Sequence, residues 1–403
     1  MPGQVPAGTV SASPINPEPR TERGECRRDL SPSRTVLPVS ADDESLFDEL
    51  ATTSPPVDET GGALVRAVES LRRRGVLAAA LPSAHGGDGL GVGVPDGARS
   101  VAFLVRLAEI SLPLARVFEG HVNALALVAR HGDEALVSRV AAAVSRGALL
   151  GVWGADGDEP VRIRSDERLV GSKRFASGLG VVEKALITAR TTRGPQLCLV
   201  DVTDPARMDH SDWSMAGMQA SVSGDYRFDG LGGAGVERVG QADVLGEEPG
   251  FFGGAWRIAA LQLGGVFGVL EGVREALAAH GRLDDVHQRT RLTPPLYRAL
   301  GAVGLVVAAA RRADGEAGER DPEAAVAQSV FARLLTEEIG LSTIATAERC
   351  IGLALHRLDS PVGARTRDLS VYLRQAAPDA LLQRAGAYAY GREERLAAFG
   401  AGS

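Results

Sequence analysis

Leu149-Leu150-Gly151-Val152-Trp153-Gly154-Ala155-Asp156 is where this sequence changes period. Upstream, apolar residues recur every three or four positions, the mark of helices with one buried face. Leu46 and Leu50 fit that spacing, as do Leu64, Val65, Val68 and Leu71. Leu104, Leu107, Ala108 and Leu112 continue it, then Ala124, Leu127 and Val128. Asp42-Asp43-Glu44 put negative charge where a helix dipole favours it, so order is expected to begin there. Downstream, short alternating segments take over at 150–153, 161–163, 185–189, 197–202 and 223–228. Turns rich in Gly, Asp and Pro separate them, which predicts a β domain of roughly 95 residues. From Phe251 the helical period returns. Ile258, Leu261, Val266, Val269, Leu270, Val273 and Leu277 predict a long helix closing at His280-Gly281. Further helical stretches are expected at 295–313, 322–352 and 377–398. Helices, then strands, then helices define an α+β chain with segregated layers. The expected division is a tail at 1–42, a helical domain at 43–149, a β domain at 150–246 and a helical bundle at 247–403.

Composition narrows the function. Of 403 residues 44% are hydrophobic, enough for a sizeable core. The 44 basic and 51 acidic residues leave a net charge of −7, which argues against a nucleic-acid-binding stripe and suits a cytoplasmic protein. Cys26, Cys198 and Cys350 form no CxxC pair, so neither a disulfide framework nor a metal site is expected. The apolar run 299–310 lies between Arg298 and Arg311, too short to cross a bilayer core of about 30 Å, and no membrane association is expected. Residues 1–42, rich in Pro, Ser, Thr, Arg and Glu, lack a signal core and read as a disordered tail.

Four segments carry a family likeness. Leu81-Pro82-Ser83-Ala84-His85-Gly86-Gly87-Asp88-Gly89-Leu90 forms a proline-to-GGxGL turn. Val170-Gly171-Ser172-Lys173-Arg174-Phe175-Ala176-Ser177-Gly178 fits G-x-K-x-F-x-S-G. Trp213-Ser214-Met215-Ala216-Gly217-Met218-Gln219-Ala220-Ser221 fits W-x-x-x-GM-x-A-S. Arg367-Asp368 follows Pro361-Val362 at a fixed distance. In order and spacing these segments resemble the acyl-CoA dehydrogenase superfamily. The resemblance implies an N-terminal helical domain, a central β-barrel-like domain and a C-terminal four-helix bundle. It also implies FAD held between the β domain and the bundle, in a homodimer or homotetramer.

Carried over position by position, the resemblance makes Phe175 an apolar wall for the flavin ring and Ser177 a hydroxyl at the flavin edge. Residues 152–156 occupy the family's flavin- and substrate-contacting loop, shortened and without its Thr and Ser. Trp153 and Gly154 are the candidate contacts there, and Trp153 reads equally as a core residue. Arg289 matches the arginine that reaches the FAD pyrophosphate, a task suited to its fork, and reads equally as surface charge. Gly352 matches the first glycine of the loop for the adenosine half; Leu353 and Leu355 follow it.

The resemblance departs at the base. The family's usual glutamate falls on Ala376, which cannot accept a proton. At the alternative base position, Trp256-Arg257, no carboxylate stands either. Glu271 and Glu275 are expected to face solvent, and Asp379 to cap the last helix. Ala385-Gly386-Ala387-Tyr388-Ala389-Tyr390-Gly391, with Phe175 to Gly178, resembles instead the flavin-dependent monooxygenase branch. That branch takes reduced FMN or FADH2 from a separate flavin reductase. His121 is then the candidate pocket imidazole, with a core or capping histidine as the other reading. Three functions stand open: a flavin oxidoreductase acting on an acyl thioester or related small molecule, with an electron-transfer flavoprotein as possible partner; a two-component monooxygenase; or a non-catalytic binding protein on this fold.

Overall fold

A computed structural model describes residues 39–54, 62–91, 97–393 and 395–396. Most of the expected tail lies outside the described residues. The chain's first described helices are α1 (Ala41–Thr53), α2 (Gly62–Arg73), α3 (Val76–Ala79), α4 (Gly97–Ile110), α5 (Leu112–His131) and α6 (Glu134–Ser145). Ser40 opens α1 with a capping box: its hydroxyl accepts the Asp43 N–H, and the Asp43 carboxylate accepts the Ser40 N–H. Leu46, Phe47, Leu50, Leu64, Val68 and Leu71 are buried, as their spacing requires. Val65 is 56% exposed, because the buried stripe of α2 runs through 64, 67, 68 and 71 and leaves 65 outside it.

The β layer comprises β1 (Leu150–Trp153), β2 (Arg162–Ile163), β3 (Leu169–Val170), β4 (Ser172–Lys173), β5 (Lys184–Thr191), β6 (Gly194–Asp201), β7 (Met208–Asp209), β8 (Asp225–Arg227) and β9 (Val236–Val239). One sheet runs β3-β2-β5-β6-β9, with β1 also paired to β5; the other runs β4-β8-β7. β1 lies parallel to β5, with Val152 opposite Leu186, and β5 and β6 form an antiparallel hairpin with Ile187 opposite Cys198. The five expected segments fall on β1, β2, β5, β6 and β8. β3, β4, β7 and β9 were not expected: the first three have two residues each, too few to display alternation, and β9 reads Val236-Glu237-Arg238-Val239, which does not alternate. Lys173 is fully buried between the sheets, and its ammonium donates to Asp156 at 2.6 Å, Thr188 at 2.9 Å and the Gly154 carbonyl at 3.2 Å. It thereby fixes the chain that leaves β1.

The C-terminal layer is helical: α7 (Ala255–Ala279), α8 (Val286–Ala313), α9 (Glu316–Arg320), α10 (Pro322–Ile351), α11 (Pro361–Tyr372) and α12 (Pro378–Gly391). α7 packs against α4, α8, α10 and α11. At Gly264 a Cβ would stand 2.3 Å from the Val105 carbonyl oxygen, so α4 and α7 cross at backbone contact and only glycine fits. α8 begins nine residues before the expected start at 295, because Asp285 caps it by accepting the His287 and Gln288 N–H groups. Pro294 and Pro295 lie inside this helix; their presence is what makes the first turns read as non-helical. α11 is a second departure: Arg367-Asp368 sits within a helix of its own, where only one final helix was expected. Phe252–Ala279 and Val286–Ala313 are long and apolar enough to cross a membrane by length and composition. In the most apolar 18-residue stretch of each, 83% of the first and 33% of the second is buried inside the protein.

Candidate functional site

A cavity of about 250 Å³ opens between α5, the end of β1, the start of α7, α10 and the α11–α12 connection. Arg116, Glu119 and Asn123, three and four residues apart on α5, present one polar face to it. Glu119 is buried and accepts the Arg116 guanidinium at 2.5 Å and the Asn123 amide. β1 contributes Val152, and Gly154 follows it. Phe251, Phe252, Ile258 and Leu381 make the apolar wall.

The remaining wall is Arg333 on α10, Tyr372 at the end of α11, and Gln375-Ala376 beyond it. Ala376 therefore does face the cavity. The Arg333 guanidinium donates to the Ala376 carbonyl at 3.4 Å. Burial pushes that guanidinium below its usual pKa range. Tyr372 is 5% exposed, and its hydroxyl has no hydrogen-bond partner among the described residues. Burial holds its pKa well above the usual phenol value, so it stands as a proton donor.

Phe175 and Ser177 do not line this cavity; they follow β4 in the β layer, joined to the end of β1 through Trp153. Phe175 takes a left-handed backbone, φ 55°, leaves its ring 51% exposed, and meets Trp213 edge-on at 6.2 Å. Ser223 donates to the Ser177 hydroxyl at 3.1 Å, which leaves the Ser177 proton available to a ligand. Trp153 is buried, and its indole N–H is spent on the Ser177 carbonyl at 3.1 Å. It packs against Tyr226 at 5.5 Å and ties Ser177 to β1 from within the core.

His121, Arg289 and Gly352 also lie outside the cavity lining. His121 is fully buried: Nδ1 accepts the Leu150 N–H at 3.0 Å, and Nε2 donates to the Leu77 carbonyl at 3.0 Å. Burial pushes its pKa down to about 4, so the ring is a neutral strut between α3, α5 and β1. Arg289 is exposed on α8 and bonds the Asp284 carbonyl at 2.6 Å, within its own segment. Gly352 closes α10 with φ 68°, and Leu353 beside it is 86% exposed. Glu271 pairs with Arg274 on its own helix. Asp379 lies in the first turn of α12; the capping position is Ala377, without a side-chain bond.

Sequence reasoning missed Glu119, Asn123, Arg333 and Tyr372. The available signal was polar residues on the stripes of α5 and α10 that the apolar period assigns to the interior.

The layered order is the fold of the acyl-CoA dehydrogenase superfamily, as structural matches show. No family model matches the chain, and no curated protein sequence does. KijD3, solved with FMN and dTDP-3-amino-2,3,6-trideoxy-4-keto-3-methyl-D-glucose, matches with TM-score 0.74 at 19% identity, over 91% of this chain and 98% of that one. FMN-bound TdsC, a dibenzothiophene monooxygenase from Paenibacillus sp. A11-2, matches with TM-score 0.73 at 17% identity, over 89% and 98%. Butyryl-CoA dehydrogenase from Megasphaera elsdenii matches with TM-score 0.71 at 17% identity, over 88% and 99%.

Proposed function

We propose that the protein is a flavin-dependent oxidoreductase, and that it uses reduced flavin with oxygen instead of removing the α-proton of an acyl thioester. The observation that carries this reading is Ala376 in the cavity wall. Dehydrogenation needs a carboxylate at that point; oxygen chemistry needs a dry pocket and hydrogen bonds. Glu119 is a carboxylate on the wall, but its oxygens already hold Arg116 and Asn123, and an α-proton would have to displace them.

The residues present fit a flavin ring. The exposed face of Phe175 offers a wall, the Ser177 hydroxyl has a proton to donate, and Trp153, between the cavity-lining Val152 and Gly154, is hydrogen-bonded to the Ser177 carbonyl. A bound flavin would supply the redox chemistry, while the protein orients it and excludes water. Reduced FMN is favoured over tightly held FAD, because Leu353 and Leu355 stand where the family's adenosine loop has glycines and three FMN-bound structures are among the matches. A flavin reductase is then the expected partner. A homodimer is expected through α8, where Leu296, Tyr297 and Leu300 are exposed together.

A second reading, dehydrogenation with Glu119 as proton acceptor, draws on the burial of that carboxylate in the cavity wall. Titration of the protein with oxidised and reduced FMN and FAD, followed by oxygen uptake in the presence of a flavin reductase, tests both. Tight binding of reduced FMN with substrate-dependent oxygen uptake is expected. A bound oxidised flavin that acyl-CoA bleaches would favour the second reading, and failure to bind either redox form would overturn both.

A further inference from the structure

We infer that the Ala376 end of the cavity is a seat for an oxyanion, the carboxylate of a small apolar substrate, with Arg333 and Tyr372 as its donors. Arg333 is 3% exposed, yet no carboxylate lies within ion-pair distance of it among the described residues. Its one hydrogen bond is the 3.4 Å contact to the Ala376 carbonyl, and its Nε has no partner. Glu337, one turn further along α10, acts on it through space without a bond, and one Glu337 oxygen is itself unpartnered. A guanidinium taken out of water without an anion is among the costliest groups a fold can hold. Its retention beside a cavity makes sense if a ligand supplies the anion.

The surroundings fix the class of that ligand. The Tyr372 hydroxyl, buried and unpartnered, faces the same cavity and adds a third donor to the two of an arginine fork. Arg116, the other guanidinium on the wall, is already neutralised by Glu119. Among the cavity-lining residues two guanidinium groups stand against one carboxylate; Glu337 lies behind the wall and makes no ion pair with Arg333, so the Arg333 fork and the Tyr372 hydroxyl remain open to a carboxylate from the cavity. Phe251, Phe252, Ile258 and Leu381 offer an apolar lining for the rest of the molecule. As a substrate seat the site rests on the flavin reading; as a carboxylate site it can be measured without flavin.

The probes are benzoate and hexanoate, each against its neutral amide, added to the full-length protein at constant ionic strength with melting temperature and calorimetry as readouts. The acids are expected to raise Tm in proportion to occupancy and the amides to do so weakly or not at all. Arg333→Met should abolish the preference for acids, weakening benzoate by at least about tenfold, and Tyr372→Phe should weaken it by a smaller factor. Without ligand, Arg333→Met should melt no lower than the wild type, because it removes an unpaired buried charge. If Arg333→Met does not fold, the acid-amide comparison on the wild type and Tyr372→Phe still decide. Equal shifts from acid and amide, or an undiminished preference in Arg333→Met, would overturn the proposal. Titration of Arg333→Met with FMN and riboflavin separates the other source of an oxyanion: selective loss of FMN, with no acid response in the wild type, would assign Arg333 to the cofactor phosphate and overturn the substrate seat. Carboxylate binding in a protein that takes no flavin would leave the seat standing and remove the flavin reading.

Discussion

The carboxylate of Asp368 on α11 accepts the backbone N–H of Met218 at 2.5 Å, across 150 residues of sequence. Beside it, a Cβ on Gly217 would stand 2.3 Å from the Arg367 carbonyl, so the two segments touch at backbone level. Two stretches that were recognisable only as separate motifs are thus one joint between the β layer and the bundle, one helical turn before Tyr372.

That joint should be visible in the pH dependence of stability. Burial pushes the Asp368 carboxyl up to about 7 from an ordinary value near 4. The folded state therefore holds this proton more tightly than the unfolded state, and its contribution is full at low pH. It is lost as pH rises from about 4 to about 7, a change on the order of 4 kcal/mol. Asp368→Asn keeps an oxygen for the Met218 N–H and does not titrate. In urea unfolding, the stability of Asp368→Asn relative to wild type should rise through that window and level off above it. A difference independent of pH would show that Asp368 is not protonated in the folded protein.

His121 should behave in the opposite sense. Its folded pKa, about 4, lies below the ordinary 6.5, so the stability it confers is complete above pH 6.5 and lost as pH falls toward 4. The loss is on the order of 3 kcal/mol. His121→Ala should remove this acid slope and destabilise at neutral pH by roughly 2–4 kcal/mol, since two buried partners lose their bonds. Flavin affinity below the melting transition should stay within about twofold of wild type, as expected of a strut outside the cavity. A large selective loss of oxygen uptake at unchanged stability would instead make His121 a catalytic residue.

The α–β–α order was legible because long helices and the strands β1, β5 and β6 impose clear periods of 3.6 and 2. Elements of two residues impose none, which is why β3, β4 and β7 were invisible; β9 was missed because Val236-Glu237-Arg238-Val239 does not alternate. α8 was cut short by Pro294 and Pro295, whose local preference the bundle overrides. Phe175, Ser177 and Gly154 came from motif position alone. Glu119, Arg333 and Tyr372 could not, because α5, α10 and α11 meet only in the fold. In sequence, Arg116 and Glu119 are an ordinary i,i+3 pair, and Arg333 is one arginine among many. The cavity that gives them their meaning is assembled from residues as far apart as Arg116 and Leu381.

The backbone of Phe175 offers a test of the flavin wall. A phenylalanine at φ 55° is held in a conformation that costs about 1–3 kcal/mol, and its ring is largely uncovered. Phe175→Gly should relieve the backbone, so the variant should be no less stable than wild type by urea unfolding. Flavin affinity should nonetheless fall by at least about tenfold, because the wall is gone. Ser177→Ala should weaken flavin by a similar factor with a stability change within about 1 kcal/mol. Unchanged flavin binding in both variants would show that this edge does not meet the ring.

Installing a carboxylate at position 376 separates absence of a base from absence of a flavin. In Ala376→Glu the new side chain enters the cavity beside Arg333, whose guanidinium already reaches the backbone of that residue. Glutamate should pair with it, and the pair should raise Tm and cancel the response to benzoate, since the anion is now internal. The same pairing keeps the carboxylate from acting as a base, so acyl-CoA should not bleach a bound flavin in Ala376→Glu alone. Removing the competitor in the double variant Ala376→Glu with Arg333→Met should release it. Bleaching that appears only in the double variant would place the chemical difference from a dehydrogenase in these two residues. Bleaching in the single variant would show that Arg333 does not command position 376.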